Sequence, residues 1–557
     1  MPIQPFRPTA VRGRRPLAVT LSAAGLAAVL ALSGCGNANA SSQASATGTP
    51  QSGGTLKVAE IPDIYSCIDP SQASWSGSRN IVRQFAESLT DQDPETNEIK
   101  PWLASDWTVS PDGKTYTFNL KHDITFSNGE PFNADAVVKN IESVAATPGA
   151  PASTALISLD GVKAVDDDTV EITFKEPNPA FLSATSITKL GILAPESLKQ
   201  TPEQRCTGKA LYGTGPFTLE SYDPKTKAVL KKRADYKAHS ALAKHDGPAY
   251  LDGIEYVYVP EESVRTGSLV SGQVQAIVAP ADQQITDNAA TQIKAAGGVV
   301  DSRALPGQAF NLYPNVREGR ILSDIRVRQA VSLAIDRATY ASTAIRKDYT
   351  VVSGFYGATT SSAIATPELT KYDPQAAAKL LDEAGWTLGP DGYRYKDGKK
   401  LTLHWLDKTK KTGVELVIDE LKQIGVDLQF DQTTAAVAKS RDKSGDYDLS
   451  SIASYTRNDP SALNLYYSTQ ASYRMGELSL DEASWAKAQE LYLAGGSEPD
   501  ETKRAEDYRQ FQQLLEDQYA VFPLYERSQD YAHSAKLQGA RFIGESWVDF
   551  YDAWLAK

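Results

Sequence analysis

The side chains that could support catalysis or metal binding are scattered along this sequence of 557 residues. The sequence contains no Gly-x-Ser-x-Gly nucleophile motif, no Walker A loop and no His-Glu-x-x-His pair. Its histidines lack the local spacing of a zinc or nickel site, and we interpret them as structural or surface residues: His122, His239, His245, His404 and His533. The sequence therefore predicts neither an enzyme active site nor a metal or cofactor site.

A glycine pair in the middle of the chain has the beginning of a phosphate-binding pattern. Gly213-Thr214-Gly215 has the first two glycines of such a loop, but Thr218 stands where the third glycine is required. Phe217, Leu219 and Ser221 continue with the alternation of an extended segment. We therefore interpret these glycines as a tight turn that enters a β-strand.

Cys35 directly follows a segment with the features of a signal peptide. Arginines without acidic neighbours precede an apolar run over residues 17–32, so residues 1–34 are predicted to direct secretion. Leu32-Ser33-Gly34-Cys35 looks like a bacterial lipobox, which implies cleavage before Cys35 and its lipidation. The alternative is an ordinary secretory signal. Residues 35–53 are small and polar, and this composition predicts a flexible tether.

Two further cysteines, Cys67 and Cys206, remain after this assignment. Outside the cytoplasm, two such thiols can form a disulfide or stay separate and reduced, and the sequence leaves both possibilities open.

The charge of the mature chain disfavours nucleic acid as a partner. Without residues 1–34 the chain has 53 basic and 69 acidic residues. No basic stripe interleaved with aromatic residues offsets this negative charge. The length predicts two or three structural units, because one hydrophobic core rarely supports so many residues.

Helix and strand patterns alternate along the chain. Strands are predicted at residues 55–61 and on both sides of a turn at 110–113. Helices are predicted over 323–344, from an N-cap at Asp373 to a stop at Gly385, and up to Gly425, where a strand follows directly. This alternation predicts an α/β architecture of sheets covered by helices.

Several ordered segments give the chain a family likeness from about Gly54 to near its C-terminus. These are Pro101-Trp102-Leu103-Ala104, Ser110-Pro111-Asp112-Gly113, Asn128-Gly129-Glu130-Pro131-Phe132, Gly213-Thr214-Gly215-Pro216, Val327-Arg328-Gln329-Ala330, Tyr372-Asp373-Pro374, Asn458-Asp459-Pro460 and Phe522-Pro523-Leu524-Tyr525. In these segments the chain resembles the family-5 extracellular solute-binding proteins, the binding components of peptide and nickel ATP-binding-cassette (ABC) importers.

The resemblance implies a two-lobed, type II periplasmic-binding-protein-like fold of the large cluster C type, with an extra small domain. We place lobe I at 54–96, 212–304 and 524–557, the small domain at 97–211, and lobe II at 305–523. The chain would cross between the lobes twice, and rotation at these crossings would close the cleft around a ligand.

The resemblance further implies capture of a small solute, most readily a di- or oligopeptide, and its delivery to a membrane permease. Opines, oligosaccharides and nickel chelates are alternative ligands, and a lipid-anchored extracellular hydrolase is the alternative from another class. We expect a monomer on the outer face of the bacterial cell membrane, held there by its lipid anchor.

The resemblance also assigns ligand-binding residues to the cleft. Asp459 stands in the Asp-Pro segment where peptide binders place the partner of the ligand's ammonium group; a turn with a capping aspartate is the alternative. Arg457 is a candidate for binding a carboxylate, and the remaining candidates are Tyr455, Phe310, Asn311, Tyr65 and Trp75. Each of these side chains could instead be a core or surface residue.

Overall fold

Two large β-sheets, joined by two short links, organise the chain. The computed structural model describes residues 48–147, 149–281, 283–452, 456–468 and 471–557. The predicted signal peptide, Cys35, most of the tether and Tyr455 lie outside the described residues.

The strands are numbered β1 to β25 in chain order. They are Thr55–Glu60, Thr90–Gln92, Ile99–Pro101, Ala104–Val109, Thr115–Leu120, Leu159–Ala164, Thr169–Phe174, Phe217–Asp223, Lys227–Lys232, Gly253–Tyr258, Ala276–Ala279, Val299–Ala304, Phe310–Pro314, Thr387–Leu388, Arg394–Lys396, Lys399–Lys400, Thr402–Asp407, Asp427–Gln432, Leu449–Ser450, Phe522–Tyr525, Ser528–His533, Leu537–Gln538, Arg541–Phe542, Val548–Asp549 and Trp554–Leu555.

The α-helices are numbered α1 to α17 in the same way. They are Ser76–Phe85, Ala134–Ala145, Phe181–Ala184, Pro195–Leu198, Pro202–Cys206, Glu262–Val270, Asp287–Ala295, Ile325–Leu333, Arg337–Thr339, Pro367–Thr370, Pro374–Glu383, Val414–Gln423, Ala435–Ser444, Asn464–Tyr467, Met475–Leu478, Glu482–Ser497 and Glu501–Asp517. Short 3-10 turns occupy Pro151–Leu156, Thr188–Leu190, Ile321–Ser323 and Pro460–Leu463, and a π turn occupies Tyr340–Ile345.

The first large sheet has seven strands in the order β12-β21-β11-β1-β10-β9-β8. Strand β1 lies at its centre and runs parallel to both neighbours, β10 and β11. Its Leu56 and Val58 are fully buried, as their alternation predicts. The sheet therefore combines the start, the middle and the C-terminal part of the chain.

A four-stranded antiparallel sheet, β4-β5-β7-β6, shares its hydrophobic core with this first sheet. The predicted hairpin is confirmed, since β4 and β5 flank a turn in which the Gly113 amide donates to the Ser110 carbonyl at 2.8 Å. Gly113 has φ of 67°, a conformation that glycine adopts without strain.

The second large sheet has five strands in the order β18-β17-β19-β13-β20 and a separate hydrophobic core. Around it lie α8 and most later helices, among them α11, which begins and ends as predicted. The Asp373 side chain accepts a hydrogen bond from the Ala376 amide at 2.9 Å, and Gly385 follows the helix with φ of 85°. Helix α12 likewise passes through Gly425 into β18, as the change of period predicts.

One sequence prediction in this part is wrong in its extent. The helical pattern over 323–344 predicts a single helix, but α8 ends at Leu333 and a new turn begins at α9. Asp336 separates them, because its carboxylate accepts hydrogen bonds from the amide and the hydroxyl of Thr339, at 2.9 and 2.7 Å. This cap favours a new helix start over continuation of α8.

The chain passes between the two large sheets at two points. It leaves β12 through residues 305–309 to reach β13, and it returns from β20 through Glu526 and Arg527 to β21. The predicted boundary at residue 523 therefore falls inside β20. The two links are neighbours, since the Leu305 amide donates to the Arg527 carbonyl at 2.8 Å.

Helix α1 is placed by a close backbone approach at its C-terminal end. A Cβ atom at Gly213 would collide with the carbonyl oxygen of Phe85, and one at Gly215 would lie 2.6 Å from the Phe85 carbonyl carbon. The Gly215 amide donates to the Phe85 carbonyl at 3.0 Å. The glycine pair precedes strand β8 as predicted, but it serves close packing against α1.

Candidate functional site

The segment of residues 456–459 lies against both links between the large sheets. The Arg457 amide donates to the Pro306 carbonyl at 3.1 Å on the first link. On the second link, the Arg527 guanidinium donates to the Thr456 hydroxyl at 3.1 Å. This segment carries two of the predicted ligand-binding residues, so we take the surroundings of the links as the candidate site.

Arg457 and Asp459 are both buried in this segment, with 3% and 4% of their surfaces exposed. Between them, the side-chain amide nitrogen of Asn458 donates to the side-chain oxygen of Asn97 at 2.6 Å. This contact connects the segment to the turn between β2 and β3. The predicted role of Tyr455 concerns a residue outside the described ranges.

Asp459 forms an ion pair with Arg504 of α17. One guanidinium nitrogen of Arg504 donates to both carboxylate oxygens, at 2.6 and 2.7 Å. The Ser461 amide also donates to the carboxylate, at 2.9 Å, which is the capping contact of the turn interpretation. Burial raises the pKa of Asp459, but Arg504 outweighs this effect and holds the pKa below its ordinary value. The proposed ammonium-binding role stays a prediction.

Phe310 and Asn311 lie at the start of β13, where the first link ends. The Phe310 ring stacks on Tyr525 of β20 with a centroid distance of 4.7 Å and belongs to the core of the second sheet. The Asn311 amide nitrogen donates to the Phe355 carbonyl at 3.0 Å. Its side-chain oxygen is buried and has no hydrogen-bond partner among the described residues.

Tyr65 and Trp75 lie in the loop that connects β1 to α1. Tyr65 is 52% exposed and lies near Tyr473, whose pKa is raised first by burial and then by Tyr65. Trp75 immediately precedes α1, and its indole N–H is buried without a hydrogen-bond partner among the described residues. The loop thus extends from the first sheet towards Tyr473, which packs against the core of the second sheet.

This loop is anchored by a disulfide. Cys67 and Cys206 are bonded, with their Cα atoms 4.1 Å apart. Beside them Asp69 forms a buried ion pair with Arg205 of α5 at 2.8 Å. The Asp63 carboxylate accepts from the Cys67 amide at 3.0 Å. These contacts hold the predicted ligand loop against α5.

Lys189, which the sequence did not single out, lies near Arg457. It is buried in the turn Thr188–Leu190, and burial lowers its pKa to about 7. Repulsion from Arg79 and Arg457 adds to this effect, while Glu545 opposes it. We call Arg79, Lys189 and Arg457 the cationic cluster. Because its members are far apart in sequence, no local pattern could have indicated it.

Glu526, at the second link, is another buried ionisable group. Burial raises its pKa to about 7, although the Ala358 amide and Arg527 favour the ionised form. The Tyr349 hydroxyl donates to its backbone carbonyl at 2.7 Å. A carboxyl group that titrates near neutral pH therefore lies at the junction of the two sheets.

Two general features of the described ranges bear on function. In them, no cluster of three or more histidine, cysteine, aspartate or glutamate side chains is arranged to hold a metal ion. None of the helices in these ranges has both the length and the apolar character needed to cross a membrane.

Known proteins resemble this chain over most of its length. It is 27% identical over 364 residues to the nickel-binding periplasmic protein of Escherichia coli K12, a match that covers 62% of this chain and 65% of that protein. It is 25% identical over 532 residues to the glutathione-binding protein GsiB of Salmonella typhimurium, covering 89% and 94% of the two chains.

A solved structure shows the fold. The oligopeptide-binding protein AppA of Bacillus subtilis, in complex with a nonapeptide, superposes with a TM-score of 0.72 at 21% identity. The match covers 91% of this chain and 100% of that one. The chain thus has the predicted α/β, two-lobed fold of a type II periplasmic binding protein. The model for the bacterial extracellular solute-binding proteins, family 5, matches residues 98–476, and the chain belongs to that family.

Proposed function

We propose that the chain is the extracytoplasmic binding component of an ABC importer, which holds a small solute between its two lobes and passes it unchanged to a membrane permease. The observation that supports this proposal most directly is the pair of adjacent links between two separately packed sheets. Two short parallel links can act as a hinge, because a few backbone rotations there move each sheet as a rigid body.

The solute is most readily a di- or oligopeptide. Among the relatives, GsiB is named for binding glutathione, which is itself a tripeptide, and AppA was solved with a nonapeptide. A relative named for nickel binding keeps a metal chelate as the alternative ligand. In the peptide case, the Asn311 oxygen and the Trp75 indole N–H are suited to pair with peptide N–H and C=O groups.

In this proposal the lobes keep the predicted ranges, with lobe I at 54–96, 212–304 and 524–557, the small domain at 97–211, and lobe II at 305–523, except that β20 of the second sheet continues to Tyr525. A lipid on Cys35 and the tether over residues 35–53 keep the monomeric protein at the outer face of the membrane. This arrangement places the binding lobes close to a permease.

A single experiment tests transport binding against hydrolysis. The full chain, purified in mild detergent, is incubated with a defined peptide mixture, and peptides are followed by mass spectrometry while unfolding is followed by differential scanning fluorimetry. We expect every peptide to stay intact and a subset to raise the melting temperature, because ligands stabilise the form that binds them. Turnover of any peptide would contradict the proposal.

A further inference from the structure

The first sheet is contacted on both of its faces beside the links. Ser302 and Arg303 are successive residues of β12, so their side chains point to opposite faces. The Ser302 hydroxyl donates to the Asp530 carboxylate at 2.6 Å. The Arg303 guanidinium donates to the Pro94 carbonyl in the turn between β2 and β3. Asp530 and this turn therefore lie on opposite faces of the first sheet.

The contact on the Asp530 face is charged and buried. Arg346 follows Ile345, whose side chain belongs to the core of the second sheet. The Arg346 guanidinium donates to the Asp530 carboxylate at 2.8 Å and to the Ile285 carbonyl at 3.0 Å. The Ile285 amide donates to the same carboxylate at 2.9 Å. The side chains of Arg346 and Asp530, which we call the hinge pair, are 5% and 0% exposed.

The contact on the opposite face is neutral and is made by Asn97, in the turn between β2 and β3. Its side-chain oxygen accepts from the Asn458 side chain at 2.6 Å, and its side-chain nitrogen donates to the Thr359 carbonyl at 3.5 Å. Asn458 and Thr359 both belong to the part of the chain between the two links. We call these three residues the amide contact.

The backbone holds Asn97 in place without help from its side chain. The Asn97 amide donates to the Asp93 carbonyl at 2.9 Å, and the Gln92 side chain donates to the Asn97 carbonyl at 3.0 Å. Its φ is 62°, a left-handed conformation that asparagine tolerates and glycine adopts freely. A glycine at this position therefore removes the amide contact and preserves the turn.

The amide contact lies on the face that carries candidate ligand residues. Tyr531 follows Asp530 in β21, so its side chain points to the face of Arg303. It packs there in the core that also contains helix α1, and Trp75 immediately precedes that helix. The amide contact itself includes the middle of the segment of residues 456–459.

These two contacts differ in what their separation costs. Building on the proposed function, we infer that the lobes rotate about the hinge pair and that the amide contact forms when the cleft closes. Separating the hinge pair would leave two buried charges unpaired, whereas water can replace the hydrogen bonds of neutral amides. Rotation about a point on one face opens the other face. Asn97 is then a positioning residue, which fixes the segment of residues 456–459 in the closed cleft.

The opening of the cleft can be followed without a solute. Lys225, in the turn between β8 and β9, and Ala436, in α13 after β18, are exposed. Both lie at the link edges of their sheets and far from the links in strand order. Azido amino acids replace both residues in the full chain in mild detergent. Single-molecule fluorescence energy transfer between dyes coupled to them reports the separation of the lobes.

Asn97→Gly tests the amide contact. We expect the ratio of closed to open molecules to fall about threefold or more, as the loss of one or two neutral hydrogen bonds predicts. Glu98→Gln, which breaks an exposed pair with Lys100 in the same hairpin, is the control and should leave the ratio unchanged. An unchanged ratio in folded Asn97→Gly, or an equal fall in the control, would overturn the inference.

The hinge pair is tested by the double variant Arg346→Met, Asp530→Asn, which leaves no single buried charge. We expect a wider distribution of transfer efficiencies, because the lobes lose their fixed point of rotation. Lys294→Met, which breaks an exposed pair with Asp348, is the control. An unchanged width in the folded double variant would contradict the assigned pivot.

Hydrogen exchange gives a second measurement of the hinge pair in a variant that keeps it. The Ile285 amide, which donates to Asp530, should exchange equally slowly in the wild type and in Asn97→Gly. Faster exchange in Asn97→Gly would show that the hinge pair separates as the cleft opens, and the inference would be wrong.

These measurements use no solute, so they separate this inference from the proposed function. Transfer changes as expected together with turnover of a peptide would contradict the proposed function alone. Binding of intact peptides with unchanged transfer in every variant would contradict the inference alone.

Discussion

Arg457 and Asp459 are two residues apart and almost equally buried, yet they have opposite effects on different neighbours. The Asp459 carboxylate accepts hydrogen bonds from one guanidinium nitrogen of Arg504, whereas Arg457 disfavours the charged form of Lys189 while it favours the ionised form of Asp459. The pKa values of Asp459 and Lys189 are both lowered. For Asp459 this shift means a stabilised charge, but for Lys189 it means a destabilised one.

The comparison separates a buried charge that its neighbours stabilise from one that its neighbours destabilise. The Asp459 pair has matched opposite charges and fastens the segment of residues 456–459 to α17. In the cationic cluster, Arg79 and Arg457 come from other parts of the chain than Lys189 and disfavour its charged form, while Glu545 favours it.

Breaking the Asp459 pair should have the largest effect on stability. Arg504→Met leaves Asp459 buried without its cation, and we expect the free energy of unfolding to fall by about 3–5 kcal/mol. Urea denaturation measures this loss. Arg509→Met on the same helix breaks the exposed pair with Glu506 and should leave stability nearly unchanged. The double variant Arg504→Met, Asp459→Asn should be more stable than Arg504→Met alone, because it no longer buries a carboxylate without its cation. Equal stability of the two variants would show that the ion pair does not account for the loss.

Removal of the disulfide should come next in size. The Cys67–Cys206 bond closes a loop of 139 residues and anchors the loop that leads to Trp75 and α1. We expect Cys67→Ser, Cys206→Ser to lower the unfolding free energy by about 2–4 kcal/mol and to weaken solute binding. Scanning calorimetry and titration calorimetry measure the two effects. A reductant should lower the unfolding free energy of the wild type but not of the double variant. An equal loss in the double variant would show that the reductant does not act through the Cys67–Cys206 bond.

The link carboxylate should make stability depend on pH. The pKa of Glu526 is about 7 in the folded protein, against an ordinary value of 4.5. Between these values the folded state keeps a proton that the unfolded state has lost, so stability should fall as the pH rises from about 4.5 to 7. Urea denaturation at pH 5 and at pH 8 measures the fall in unfolding free energy between the two. In Glu526→Gln this fall should be about 1–3 kcal/mol smaller than in the wild type. If the unfolding free energy of Glu526→Gln depended on pH as strongly as that of the wild type, a raised pKa of Glu526 would be contradicted.

The smallest effect tests the ligand role of Asp459. If the carboxylate also accepts the ammonium of a peptide, Asp459→Ala should weaken trialanine binding about tenfold and affect N-acetyl-trialanine less. Titration calorimetry with both peptides measures the difference. Equal losses for the two peptides would leave Asp459 with the structural role of the Arg504 pair alone.

Local signals in the sequence predicted those elements whose ends are set by nearby residues. The Asp373-Pro374 start and Gly385 end of α11, the hairpin at residues 110–113 and the passage from α12 through Gly425 into β18 are all confirmed. The helix over 323–344 was predicted too long, because the helical spacing of apolar residues continues past Asp336. The Asp336 side chain nevertheless caps a new helical turn there, by accepting a hydrogen bond from the Thr339 amide.

The sequence alone also determined the family likeness, the α/β class and the general kind of function, since ordered motifs and strand or helix periods are local properties. Only the tertiary structure decided which distant side chains meet: Cys67 with Cys206, Asp459 with Arg504, and Arg79 with Lys189 and Arg457. Burial and electrostatic coupling depend on distances in space, and chain order does not encode those distances locally.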